Sequence, residues 1–123
     1  MKALQNFVNG KFVDSKSGKT TELVNPATGK VFATAPNSNE ADVDAALKAA
    51  AAAFPGWRDS TPSVRQKALL KIADALEANA EKLVAIESEN CGKPISVTMS
   101  EEIPPMIDQI RFFAGAARNL EGK

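Results

Sequence analysis

Pro62-Ser63-Val64-Arg65-Gln66-Lys67-Ala68-Leu69-Leu70-Lys71-Ile72-Ala73-Asp74-Ala75-Leu76-Glu77-Ala78-Asn79-Ala80-Glu81-Lys82-Leu83-Val84-Ala85-Ile86-Glu87-Ser88-Glu89-Asn90-Cys91-Gly92-Lys93-Pro94 is one long helical pattern ending in a short polar turn. Leu69, Ile72, Ala73, Leu76, Ala80, Leu83 and Val84 recur at gaps of three and four, which sets them on one stripe. Lys67, Lys71, Asp74, Glu77 and Glu81 fall mostly elsewhere. Thr61 is placed to cap the first turn, and Pro62 suits the first helical position because its missing N–H has no partner there. Gly92 can take the left-handed conformation beyond the last turn, and Pro94 forbids continuation.

Outward from this stretch the character changes on each side. Toward the N-terminus, Phe7-Val8 and Phe12-Val13 flank Asn9-Gly10, a pair that supplies the positive φ values of a type I′ hairpin turn. A polar loop over 14–20 precedes a second strand pair, Thr21 to Val24 and Lys30 to Ala35, joined through Asn25-Pro26-Ala27-Thr28-Gly29. Two such short hairpins make a weak sheet unless something covers them. Asn39 then predicts a capped helix with Asp42 as its third residue. That helix runs from Ala41 to Phe54 and ends at Pro55-Gly56, with Trp57 packing the connection. Toward the C-terminus, Pro104 and Pro105 allow a helix to start near Ile103, or to start near Ser96 and kink. Ile103, Met106, Ile107, Ile110, Ala114 and Ala117 form its stripe. The expected order is strands first, over 1–36, and three helices after, over 39–123.

Composition removes several function classes. At 123 residues the length suits about one domain, and the 44% apolar content is heavy in Ala. Lys+Arg and Asp+Glu balance at 15 each, so nothing marks a nucleic-acid or anionic-membrane partner. One Cys excludes an internal disulfide, and the absence of His removes the usual zinc sets. No apolar run approaches the roughly 20 residues that span a bilayer, nor does the start carry a signal-peptide core. A soluble cytoplasmic protein is the expectation. Catalytic candidates are equally scarce. Cys91 sits at a helix C-terminus, where the dipole disfavours a thiolate, with Lys93 the one nearby cation, and it reads as a partly buried structural thiol. Neither Gly-x-Gly-x-x-Gly nor a phosphate-binding loop occurs. Glu101 and Glu102 read either as a solvated acidic helix start or as a carboxylate lip for a cationic ligand.

Four segments in this order are familiar together. Asn25-Pro26-Ala27-Thr28-Gly29, Ala53-Phe54-Pro55-Gly56-Trp57, Glu87-Ser88-Glu89-Asn90-Cys91-Gly92-Lys93-Pro94 and Arg111-Phe112-Phe113-Ala114-Gly115 resemble the NAD(P)-dependent aldehyde dehydrogenases at matching separations. Glu102-Ile103-Pro104 and Cys91-Gly92-Lys93-Pro94 resemble most the branch that oxidises aminoaldehydes, the gamma-aminobutyraldehyde and betaine aldehyde dehydrogenases. The resemblance implies an α/β, Rossmann-type family fold, of which this mostly helical chain is the N-terminal segment of the cofactor-binding domain. It implies that the nucleophilic Cys, general-base Glu, oxyanion-holding Asn and NAD site all lie outside these residues. No catalytic or cofactor-binding role falls on any of them, Cys91 included, and activity is not expected from the chain alone. Two lesser roles are implied. The carbonyls of Leu23 and Val24 with the side chain of Asn90 match a monovalent-cation site for Na+ or K+, weakened because Asn90 replaces an acidic residue. Glu102 matches a position that faces the substrate ammonium, while Pro105 replaces a second acidic position. The expected partner is the remainder of the enzyme, or another copy of the chain, in a family that forms homo-oligomers. A non-enzymatic, self-associating helical module is the alternative.

Overall fold

The computed structural model describes residues 2–119, and the chain divides into two compact units, Met1–Asp59 and Ser60–Lys123. In the first unit, β2 (Asn6–Val8) and β3 (Lys11–Val13) pair antiparallel around Asn9 and Gly10, whose φ values of 52° and 75° are those the Asn-Gly pair was expected to supply. Phe7 lies directly opposite Phe12, ring centroids 5.1 Å apart and edge to face. The second hairpin is β4 (Thr20–Asn25) with β5 (Lys30–Pro36). Its turn is held by Asn25, whose side-chain Oδ1 accepts from the Ala27 N–H and whose carbonyl accepts from the Thr28 and Gly29 N–H groups.

Two features of this sheet follow from long-range pairing. A short β1 (Lys2–Ala3) runs parallel to β5, giving the strand order β1-β5-β4. The register steps between Leu23↔Ala33 and Val24↔Val31, leaving Phe32 as the extra residue of a bulge on β5. Ala33, beside that bulge, is buried.

Helix α1 (Glu40–Arg58) begins at the expected Asn39 cap, which the structure extends into a reciprocal capping box. The Asn39 side chain accepts from the Asp42 N–H, and the Asp42 carboxylate accepts from the Asn39 N–H at 3.0 Å. Its end corrects the expected stop at Pro55-Gly56. Pro55 lies inside the helix, and the Asp59 N–H returns to the Pro55 carbonyl at 3.0 Å. A proline this near the end removes one donor and disturbs one turn of small Ala residues, which the last turn survives. Trp57 is therefore a helical residue, about half exposed (49%), rather than part of a connection.

The second unit is helical. The long pattern from Pro62 is not one helix but two, α2 (Pro62–Ala78) and α3 (Ala80–Cys91), separated at Asn79. Asn79 leaves helical geometry (φ −113°, ψ 14°), and its side-chain Nδ2 donates to the Ala75 carbonyl at 2.8 Å. That local bond competes with the backbone ladder, which is why Asn is neutral to unfavourable in helix interiors. Thr61 occupies the N-cap of α2 without making a side-chain capping bond; its hydroxyl is 3.0 Å from that of Ser63. Pro62 stands at the first helical position as expected. The last stretch passes from α4 (Ile95–Val97) through a π-helical turn (Thr98–Glu102) into α5 (Ile103–Ala116). There the Ile103 N–H reaches back five residues to the Thr98 carbonyl. Pro104 and Pro105 bring no N–H, so the widened turn is how the chain enters α5 without ending the helix.

Packing in this unit centres on α2 against α5. Ala73, Val84 and Ala114 are fully buried and Ile107 nearly so. Arg111 on α5 donates to Asp74 at 3.0 Å and Glu77 at 2.6 Å on α2, and both carboxylates raise its pKa, keeping the guanidinium charged. The buried hydrophobic side chains are few and small, as the Ala-rich composition implies.

Candidate functional site

The richest local chemistry of the described residues lies where α3 ends. Gly92 takes φ 75° and stops the helix, its N–H bonding the Ser88 carbonyl at 2.9 Å. The reversal turns Lys93 back so that its ammonium bridges two carboxylates, Glu102 at 2.8 Å and Glu87 at 3.3 Å. One comes from the last turns of α3 and the other from the π-helical turn. Lys93 thus ties together two elements that the sequence separates by a glycine and a proline. Both carboxylates raise the Lys93 pKa, Glu102 the more strongly.

Cys91 belongs to the same cluster. Its thiol donates to the Glu87 carbonyl at 3.1 Å, and the Glu87 carboxylate, with burial second, pushes the thiol pKa up. In return the Cys91 thiol and then Lys93 hold the Glu87 carboxyl below its ordinary range. A thiol that faces a carboxylate stays protonated, so it is a poor nucleophile. Lys93, the one cation near it, is committed to the two glutamates. The residue is exposed rather than partly buried.

Beside these ion pairs runs an open apolar groove of about 380 Å³, lined by Leu76, Leu83, Val84, Ile86, Ile103 and Met106, with Glu87, Thr98 and Glu102 also on its wall. Thr98 is buried, and its hydroxyl donates to the Pro94 carbonyl at 3.1 Å, leaving the wall without an unsatisfied polar atom. Such a groove can take an apolar body with a polar end at the rim. Glu102, the sequence candidate for meeting a substrate ammonium, stands on this wall with its carboxylate held by an ammonium of the chain's own. Lys93 and Glu87 are what sequence reasoning missed here. Their spacing from Glu102 spans a helix end and a π-helical turn, and no linear periodicity signals it.

The remaining sequence candidates are placed as follows. Leu23 and Val24 flank the register step on β4, and Asn90 is exposed in the last turn of α3. Among the described residues no group of three or more Cys, Asp and Glu side chains is arranged to hold a metal ion. Glu101 is exposed, its carboxylate accepting from the Ser100 hydroxyl at 3.2 Å. A dinucleotide needs backbone N–H groups presented by a glycine-rich turn at a helix start. The α1 start is closed by its own capping box, α2 and α5 carry prolines in their first turns, and the sequence holds no Gly-x-Gly-x-x-Gly. Nor is any described helix long and apolar enough to cross a membrane.

The sequence profile of the aldehyde dehydrogenase family matches residues 12–123. The chain belongs to the aldehyde dehydrogenase family. It is 41% identical over 118 residues to a long-chain-aldehyde dehydrogenase of an Acinetobacter species, covering 96% of this chain and 24% of that enzyme. It is 39% identical over 113 residues to 2-aminomuconic semialdehyde dehydrogenase of Bos taurus, covering 92% and 23%. In structure it superposes on the NAD+ complex of an aldehyde dehydrogenase from Bacillus cereus with a TM-score of 0.94 at 35% identity, over 99% of this chain and 25% of that one. An NAD-dependent aldehyde dehydrogenase from Sinorhizobium meliloti gives 0.92 at 38% identity, over 100% and 25%. This chain of the aldehyde dehydrogenase family therefore spans about a quarter of the length of the relatives it matches, corresponding to an N-terminal segment of them. The named relatives act on different aldehydes, so they share the family and not one substrate branch.

Proposed function

We propose that this chain serves as the N-terminal segment of an NAD-dependent aldehyde dehydrogenase that oxidises aminoaldehydes such as gamma-aminobutyraldehyde to the acid, and that it has no turnover alone. The observation that carries the reading is the superposition of nearly the whole chain on one quarter of an NAD+-bound family member. The Cys91 thiol, held protonated beside Glu87, supports the second half. Incubating the 123-residue chain with gamma-aminobutyraldehyde and NAD+ is expected to form no NADH. Steady NADH production would sink the inactivity claim.

The aminoaldehyde reading rests on the family resemblance at Glu102, supported by that residue's place on the wall of an apolar groove. Its carboxylate meets Lys93 here, so a substrate ammonium would have to compete with that pair. With the chain joined to a catalytic remainder, Glu102→Gln is expected to lower kcat/KM for gamma-aminobutyraldehyde about tenfold, the scale of one hydrogen bond to a charged group. An uncharged aldehyde such as hexanal is expected to be unaffected; equal loss on both substrates overturns the assignment. The monovalent-cation role of the Leu23 and Val24 carbonyls with the Asn90 side chain and homo-oligomerisation belong to the same proposal and rest on the same resemblance, and a cytoplasmic location is proposed from the composition. The reading in which the chain acts as a self-associating helical module draws on one observation, the exposure of large apolar side chains such as Ile72, Phe112 and Phe113. A strictly monomeric chain in sedimentation would count against it.

A further inference from the structure

We draw no further inference here: the strongest candidate, the apolar groove between α2, α3 and α5 with the Glu87–Lys93–Glu102 ion pairs on its rim, carries nothing because nothing in the structure shows what covers it and its carboxylates are already paired within the chain.

Discussion

Asp42 is one of three side chains, with Ser15 and Ser17, on which the hydrogen bonds between the 15–19 loop and the start of α1 converge. Its carboxylate accepts from the Ser15 hydroxyl at 2.6 Å, the Lys16 N–H at 2.8 Å and the Asn39 N–H at 3.0 Å, so one residue both caps α1 and fastens the polar loop before β4. Those bonds favour the ionised form, led by the Lys16 N–H, and lower its pKa from 3.8 to about 2. A group whose folded pKa is depressed stabilises the fold above its unfolded value and loses that contribution as pH falls through the folded one. The stability gap between the native chain and Asp42→Asn, followed by circular dichroism in denaturant, is therefore expected to be constant at neutral pH. It should narrow between the ordinary carboxylate value of 3.8 and about 2. A gap that does not change over this range would show that the charge is not what fastens the loop. Half of this was legible beforehand: Asn39 followed by Asp42 is a local cap signature, whereas the loop contacts, 26 and 27 residues away in sequence, carry no local signal.

At the scale of elements, what the sequence announced was local and what it hid was non-local or competitive. The Asn9-Gly10 turn, the Asn39 cap and the Gly92 stop each depend on two or three neighbouring residues, and all three are present. The parallel pairing of β1 with β5 depends on residues some thirty positions apart, for which period-two patterning gives no address. The Asn79 break hides in a pattern whose apolar spacing continues across it, because the decisive bond is one side-chain amide taking the Ala75 carbonyl. The Pro104-Pro105 entry allows two geometries, and the chain takes the one that begins near Ser96, passing through a π-helical turn into α5. The candidate site was legible as family membership through four spaced segments, but not as geometry, since Lys93 joins Glu87 and Glu102 only after folding. Helix packing itself gives a sharp expectation. Ala73 is fully buried in the unit where α2 packs on α5, while Ala75, two residues on, is exposed. Ala73→Leu must place three extra carbons at a fully buried position and is expected to cost about 1–3 kcal/mol. Ala75→Leu, a good helix former at an exposed position, is expected to fall within about 0.5 kcal/mol of the native chain. Chemical denaturation of the two variants checks both, and equal stabilities would refute the α2–α5 interface.

For the molecule as a whole, the balance between covered and uncovered apolar surface is the informative quantity. Among the described residues the fully or nearly buried hydrophobic ones are Ala33, Ala73, Val84, Ile107 and Ala114, three of them alanines, while Val43, Leu47, Phe54, Ile72, Ile86, Phe112 and Phe113 are about half exposed or more. The chain spans about a quarter of its relatives' length and leaves these apolar side chains open, and exposed apolar patches of this kind favour contact with other surfaces. On α5, Phe112 and Phe113 are 67% and 57% exposed, with ring centroids 5.3 Å apart, so they present one contiguous aromatic patch. Zero net charge adds no long-range repulsion to oppose contact between copies. The chain by itself is therefore expected to associate reversibly, and Phe112→Ser with Phe113→Ser is expected to weaken that association. Burying one such side chain is worth about 1.5–3 kcal/mol, so the pair should raise the dissociation constant by at least about a hundredfold where both are covered. Sedimentation velocity over a concentration series reads this directly, with far-ultraviolet circular dichroism confirming that the helices persist in the variant. Identical concentration dependence in the two proteins would locate the association elsewhere, and a native chain that stays monomeric throughout would show that these faces do not drive it.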